Sequence, residues 1–223
     1  MDPYAAAFLE SRRAIIELVD TCPEEEWLAT SPLTPQWRVR DVLAHLVGVG
    51  EDIAAGRFPS GDMNAWTAAH VERGRDLSVH ELAQMWSANT IADAFNEAFA
   101  QMLFDQITHE YDIRYALGRP GSTDTPGIRL SVRFAKNIVR GERPVVLWLD
   151  GEEWRVRGTA DEENPFTLTS SHFEFLRAAT GRRSLQQIRA MDWSDDVTYV
   201  ENLMFGSGFF SPAPFDVVED SRN

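Results

Sequence analysis

The feature that most constrains the fold is a long run, Val79–Leu117, that contains neither glycine nor proline. Glycine and proline are the residues that most often interrupt or end a helix, so this run predicts helical structure. It stops at Gly118-Arg119-Pro120-Gly121, where the chain can no longer continue a helix. Because the run is much longer than an ordinary helix of about 11–12 residues, we expect a break near Ser87–Thr90.

The chain before this run also has helical periodicity. Tyr4–Val19 carries apolar residues at helical spacing, and a second helix is predicted from Val39 to Ala55. One short helix is expected in the polar section FPSGDMNAWTAAHVERGRD. Four main helices joined by short or moderate loops predict a four-helix bundle.

The pattern changes in the C-terminal part of the chain. Ile128–Val139 predicts a linking helix, and VVLWLDGEEWRVRG alternates around Asp150-Gly151, which is typical of a β-hairpin. PFTLTSS predicts another strand, HFEFLRAATG and LQQIRAM predict helices, and VTYVENLMF and FDVVE fit either state. We therefore expect an α+β protein: a helical bundle at 1–120, a helical linker at 121–144 and a small α+β module at 145–223.

The composition disfavours two classes of partner. The 223 residues are 43% hydrophobic, which is enough for well-packed cores, and carry a formal net charge of −14. A nucleic-acid surface needs concentrated positive charge, and a membrane span needs roughly 20 apolar residues in a row. The N-terminus has no basic start followed by an apolar segment, as a signal peptide would. We therefore expect a cytoplasmic monomer or homodimer that binds neither nucleic acid nor membrane.

Cys22 is the single cysteine, which excludes an intramolecular disulfide and a cysteine-rich zinc site. It lies before Pro23 near a predicted helix end, where a small buried residue is the more ordinary interpretation than a reactive thiol. Thiol chemistry in this protein would therefore need a thiol from outside the chain.

Asp105 and His109 are four residues apart in a predicted helix, so both side chains project from one face. Asp112 falls on the same narrow arc, which apolar neighbours indicate is turned toward the bundle interior. Charged groups that face an interior need partners, and a metal ion supplies one. His45, at the edge of an apolar face on the second helix, could add a third ligand. Three protein ligands and one open position are the pattern of a catalytic zinc site.

The same residues also admit a simpler interpretation. Asp105 and His109 could hydrogen-bond to each other along an exposed helix face, as pairs four residues apart do. His45 could be a structural histidine at a helix edge. The other histidines, His70, His80 and His172, show no convincing partners in the sequence and are interpreted as structural.

Two segments carry a resemblance to a known family. WRVRDVLAHL around His45, and HEYDIRYALGRP from His109 onward, resemble the mycothiol-dependent maleylpyruvate isomerase family, which belongs to the DinB-like metal-binding helical bundles of actinobacteria. The resemblance covers the first 120 residues well and the C-terminal module loosely. It implies a DinB-like four-helix bundle followed by a small α/β domain. It also implies a divalent metal, of the zinc type, held by His45, Asp105 and His109.

One position departs from the family pattern, in which the acidic ligand is glutamate where this chain has Asp105. Aspartate is one methylene shorter, so the metal must lie closer to that helix or the helix must shift. Both carboxylates bind zinc at about 2.0–2.2 Å, so the change is compatible with metal binding. The departure bears on maleylpyruvate as the substrate more than on the metal.

The resemblance further implies a reaction in which mycothiol serves as the thiol cofactor. Its thiolate would attack an electrophilic carbon of a small substrate, and the reaction would end in isomerisation or in thiol transfer. Asp112 and Asp41, each one turn from a histidine, could orient the imidazoles, although both could equally be solvated carboxylates.

Arginine suits a carboxylate-bearing ligand, and a helix C-terminus also favours arginine. The candidates for binding a carboxylate-bearing substrate are Arg177, Arg182 and Arg183, and of these Arg177 and Arg182 are also predicted to bind the cofactor.

Two other functions stay open at this point. One is a non-catalytic protein of the same bundle type that binds a metal or a metabolite. The other is a metal-dependent hydrolase, which would hold water in the open position and would not depend on a thiol.

Overall fold

The structure is a computed structural model that describes residues 1–59, 61–139, 144–157 and 165–219. Contacts divide these residues into two compact units, Met1–Gly121 and the residues from Ser122 onward. Each unit is built differently, since the first is made of helices and the second contains a sheet.

The first unit contains four main helices that pack as a bundle, which confirms the predicted fold. Helices α1 and α3 each contact both α5 and α6, and α4 packs on α3. A short helix, α2, precedes α3. The bounds are α1 Pro3–Thr21, α2 Glu24–Trp27, α3 Val39–Ala54, α4 Met63–Arg73, α5 Val79–Ala88 and α6 Ala100–Leu117.

Helix α3 is the centre of this unit, because it packs against α4, α5 and α6. Its side chains Val42 and Leu43 are fully buried, as are the indoles of Trp27 and Trp86 in the same apolar cluster. Each Å² of apolar surface removed from water contributes about 25 cal/mol. This cluster therefore fixes α3 against its neighbours and makes it a rigid support for polar side chains on its other face.

The break predicted near Ser87–Thr90 is confirmed, because α5 ends at Ala88. The chain does not resume its α-helix at once, since two turns of 3-10 helix, Ile91–Ala94 and Glu97–Phe99, come first. Phe95 between them stacks on Phe8 of α1 with ring centroids 4.5 Å apart. This buried aromatic contact holds the connection against the bundle, so α6 begins only at Ala100.

The second unit is a four-stranded sheet with short helices, which confirms the predicted α+β class. The strand order is β2-β1-β3-β4, in which β1 pairs antiparallel with β2 and parallel with β3, and β3 pairs antiparallel with β4. Helices α7 and α8 pack on each other. The bounds are α7 Pro126–Ala135, β1 Val145–Leu149, β2 Glu152–Arg157, β3 Phe166–Ser170, α8 His172–Ala179, α9 Leu185–Arg189, β4 Asp192–Trp193 and α10 Val200–Phe205.

The hairpin predicted at Asp150-Gly151 is confirmed. Both residues have positive φ, +50° and +81°, as a tight turn between antiparallel strands requires. Of the two ambiguous segments, VTYVENLMF is helical, with a 3-10 turn at Val197–Tyr199 followed by α10. FDVVE has no regular secondary structure in the part of the chain that is described. None of the helices formed by the described residues combines the length and apolar character needed to cross a bilayer.

Candidate metal centre

Helices α3 and α6 bring three potential metal ligands together. His45 comes from α3, and Asp105 and His109 come from successive turns of α6. One ligand atom from each of the three lies within 4.8 Å of the others. The helical spacing of the last two residues and the packing of α3 on α6 are therefore sufficient to assemble the cluster.

Asp105 lies between the two imidazoles. Its Oδ2 is 3.2 Å from Nε2 of His45, and its Oδ1 is 3.6 Å from Nε2 of His109. The two imidazole rings meet edge to face, with centroids 5.4 Å apart. Both histidines are buried, whereas the Asp105 side chain is 36% exposed. The cluster is therefore enclosed on the histidine side and accessible at the carboxylate.

A buried carboxylate orients His109 from behind. Nδ1 of His109 is 3.0 Å from Oδ2 of Asp112, whose side chain is fully buried. An ionised carboxylate has no proton and can only accept hydrogen bonds, so this contact places the imidazole proton on Nδ1. The lone pair of His109 Nε2 is then directed at Asp105 and His45, as a metal ligand requires.

His45 has a second imidazole behind it, which the sequence interpretation missed. Nδ1 of His45 is 3.2 Å from Nδ1 of His70 on α4, and Nε2 of His70 is 3.0 Å from Oδ2 of Asp52 on α3. The side chain of His70 has no exposed surface. Asp52 lies two turns after His45 on the same face of α3, and that repeat of polar residues was the signal that a partner from another helix was needed.

Two arginines fix the carboxylate at the end of this line. Arg57 donates to Oδ1 of Asp52 from Nε at 3.0 Å and Nη2 at 2.8 Å, and Arg73 donates to the same oxygen at 2.9 Å. Burial by itself raises the pKa of Asp52, but the hydrogen bonds from Arg57 and His70 and the charge of Arg73 outweigh it and hold that pKa below its usual range. Asp52 is therefore an anion and accepts from His70.

Burial also determines the charge of His70. It lowers the pKa of the His70 imidazole to about 4, because removal from water destabilises the imidazolium more than the hydrogen bond and charge of Asp52 stabilise it. His70 is therefore neutral at pH 7. It approaches α3 closely, since a Cβ added at Gly48 would lie 2.6 Å from Cβ of His70. Glycine at this position is what lets the two helices come close enough for the contact.

Asp41, predicted to orient His45, lies elsewhere. It accepts hydrogen bonds from the backbone N–H, Nε and Nη2 of Arg38, each at 3.0 Å, and so caps the first turn of α3. Both ring nitrogens of His45 already contact His70 and Asp105. The position behind His45 is therefore filled by another histidine and not by a carboxylate. The indole of Trp37 also lies beside the cluster, with its ring centroid 5.3 Å from that of His45.

The arginines predicted to bind a cofactor make internal contacts in the second unit. Arg177 is fully buried and donates to both oxygens of Glu219, at 3.1 and 2.8 Å. Arg182 donates from Nη1 to the carbonyl oxygen of Thr180 at 2.5 Å and lies over the ring of Phe210. A ligand would have to displace Glu219 to reach Arg177. A role for Arg177 and Arg182 in cofactor binding therefore stays a prediction without support from this geometry.

The donor set fits a cation. Asp112 directs the lone pair of His109 toward the cluster, and the carboxylate of Asp105 adds negative charge at the same place. Lone pairs and an anion that face one another at 3–4 Å repel unless a positive charge lies among them. A divalent metal supplies that charge, and protons on the imidazoles compete with it.

The fold and this cluster together define a DinB-like helical bundle with a candidate metal centre. Residues 8–114, which span the bundle and all three potential ligands, match the family of mycothiol maleylpyruvate isomerase N-terminal domains. The match covers 107 of the 223 residues, so it assigns the first unit, and not the whole chain, to this type of N-terminal domain by similarity.

A solved structure agrees with this assignment at the level of the fold. The chain is similar to a crystal structure of a mycothiol-dependent maleylpyruvate isomerase in which one histidine is replaced by alanine. The TM-score is 0.53 at 14% sequence identity, over 80% of this chain and 88% of that chain. Among curated proteins, none matches this chain.

Proposed function

We propose that this protein is a divalent-metal-dependent enzyme that uses mycothiol as its thiol cofactor and acts on a small electrophilic substrate, by isomerisation or by thiol transfer. The observation that carries the proposal is the convergence of His45, Asp105 and His109 in a domain of the mycothiol maleylpyruvate isomerase family. Zinc is the metal that best suits two imidazoles and one carboxylate.

The three side chains have distinct tasks in this proposal. His45 and His109 would hold the metal through Nε2, and Asp105 would complete the set with a carboxylate oxygen. Asp112 keeps the proton of His109 on Nδ1 and so keeps Nε2 available. When bound, the metal would supply a Lewis acid that favours the thiolate form of a thiol, which is the reactive nucleophile.

The surroundings of the cluster support an external thiol. Cys22, the one thiol in the sequence, is buried within the bundle core and is not among the residues of the cluster. Asp105 lies on the accessible side of the cluster. A thiol and a substrate would therefore reach the centre from outside, past the carboxylate, while the buried histidines exclude water from the opposite side.

Metal content tests the ligand assignment. The purified protein should hold about one zinc-like ion per chain by elemental analysis, and His109→Ala should remove most of it, because the two remaining ligands are too few for a stable site. His80→Ala is the matched control, since His80 is an exposed histidine of the same unit. Equal metal content in His109→Ala and the wild type would overturn the assignment.

Turnover tests the reaction. The metal-loaded protein should consume mycothiol, or isomerise its substrate only with mycothiol present, when it is given a panel of small unsaturated oxoacids and other electrophiles. A loaded protein that is inert toward every combination would favour a binding function. Activity that proceeds without any thiol would instead identify a metal-dependent hydrolase.

A further inference from the structure

A line of hydrogen-bonding groups extends from the candidate metal centre into the bundle. It runs from His45 to His70 to Asp52, over two contacts of 3.2 and 3.0 Å, and ends at the guanidinium groups of Arg57 and Arg73. All three members of the line are buried. Water therefore does not set the proton positions, and each group must match the polarity of the next.

The polarity of the line can be deduced from its anionic end. Asp52 accepts from both arginines and from His70, so Nε2 of His70 carries a proton. The two guanidinium groups already offset the charge of Asp52, and a second proton on the fully buried His70 would add an unbalanced buried charge. Nδ1 of His70 then carries a lone pair. The contact with His45 is a hydrogen bond only if Nδ1 of His45 donates, which leaves Nε2 of His45 for a metal that would lie between it and Asp105.

We propose that Asp52 and His70 are positioning residues that hold His45 in the tautomer with its proton on Nδ1, and so present its Nε2 lone pair to the metal. This inference rests on the metal centre of the proposed function. The carboxylate of Asp112 orients His109 directly. The carboxylate of Asp52 would orient His45 in the same way, but through the imidazole of His70. The carboxylate that determines the tautomer of His45 is on the ligand's own helix, and α4 supplies the connection.

The arrangement around Asp52 makes one substitution especially informative. Both arginines donate to Oδ1, whereas His70 donates to Oδ2. In Asp52→Asn the amide oxygen should stay with the arginines, so the amide NH₂ would face His70. Nε2 of His70 must then accept and Nδ1 must donate. His45 would be forced into the tautomer with its proton on Nε2, where it cannot bind a metal.

The first measurement is the tautomer itself. Long-range ¹H–¹⁵N correlation spectra of the metal-free Asp105→Ala protein at pH 8, in which the carboxylate facing Nε2 of His45 is gone, should show His45 with its proton on Nδ1. Asp52→Asn should move that proton to Nε2, a change that a purely structural role would not produce. A proton on Nε2 of His45 in Asp105→Ala would overturn the proposal, whether or not the wild type binds metal.

The second measurement is zinc affinity in a competition titration. Substitutions behind a metal-bound histidine typically cost about 10–100-fold in affinity, and we expect a loss of that size for Asp52→Asn and for His70→Leu. His70→Asn should restore affinity to within a few-fold, because its amide oxygen can accept from His45. Asp20→Asn, at an exposed carboxylate of α1, controls for the loss of one negative charge.

The outcomes separate this inference from the proposed function. A wild-type protein that binds no zinc would sink the proposed function alone, and the tautomer measurement would still decide the inference. Wild-type zinc binding that survives unchanged in both Asp52→Asn and His70→Leu would overturn the inference alone. Where Asp52→Asn fails to fold, His70→Leu and His70→Asn make the same comparison.

Discussion

The two units of this protein each bury a charged cluster, and the two clusters differ in how their charges are balanced. In the second unit, Arg177 and Arg183 share the carboxylate of Glu219, and Arg183 also pairs with Glu174. In the first unit, the imidazoles of His45 and His109 and the carboxylate of Asp105 converge on one point, and none of these three described residues carries a permanent positive charge. A self-balanced cluster holds a fold together, whereas a cluster that leaves one sign of charge unbalanced is built to receive a ligand.

The largest effect is expected where the balanced cluster is broken. Glu219→Ala would leave two buried guanidinium groups without their shared carboxylate and should lower the free energy of unfolding by about 3–5 kcal/mol. Chemical denaturation measures the change. Glu201→Ala, which removes an exposed partner of Arg189, should cost less than about 1 kcal/mol. Equal losses in the two variants would show that the buried cluster is not structural.

The unbalanced cluster should respond to metal in the opposite sense, by gaining stability. At a free zinc concentration 100 times the dissociation constant, the folded protein should gain about 2.7 kcal/mol, which a chelator should reverse. Thermal unfolding with and without zinc measures the gain. The same gain in His109→Ala would place the bound ion somewhere other than this cluster.

The stability of the first unit should also depend on pH, because His70 is buried in the folded protein. The pKa of His70 is about 4 in the folded protein and 6.5 in the unfolded chain, so the unfolded chain binds the proton more tightly. This contribution to stability is present above pH 6.5 and is lost as the pH falls through 4, by roughly 2 kcal/mol between pH 8 and pH 5. Urea unfolding of metal-free wild type and His70→Leu at these two pH values should differ by that amount. Parallel pH profiles would contradict it.

The smallest effect is expected at Asp41, which caps α3 and does not contact the imidazole of His45. Asp41→Asn should lower the free energy of unfolding by about 1 kcal/mol, as loss of a helix cap does, and leave zinc affinity unchanged. A titration beside Asp52→Asn gives the contrast between a cap and a positioning residue. A large loss of affinity in Asp41→Asn would return Asp41 to the role that the sequence first suggested.

The parts of the site that the sequence predicted are those set by local geometry. Asp105 and His109 share a face because they are four residues apart in one helix, and the spacing of Asp112 places it beside His109 in the same way. The bundle follows from periodicity and from the stop at Gly118, whose φ of +60° ends α6. None of these inferences requires knowledge of which helices pack together.

The parts that the sequence did not predict depend on contacts between distant segments. His70 becomes part of the site only because α4 packs on α3, and no feature near it in the chain indicates that contact. Arg177 pairs with Glu219, 42 residues later, so its availability could not be judged from its helix alone. Asp41 differs, because an acid at the third position of a helix is a known capping signal that competes with any role toward His45.

The missing side chain at Gly48 has a consequence for anyone who would transplant this centre into a designed scaffold. Copying the two imidazoles and the carboxylate would reproduce only the metal ligands. The residue that orients His45 is His70 on a third helix, which comes close only because Gly48 has no side chain. A graft onto a bundle with alanine at that place would keep the visible ligands and lose their backing. The smallest unit that could be transplanted is therefore three helices, with glycine kept at position 48.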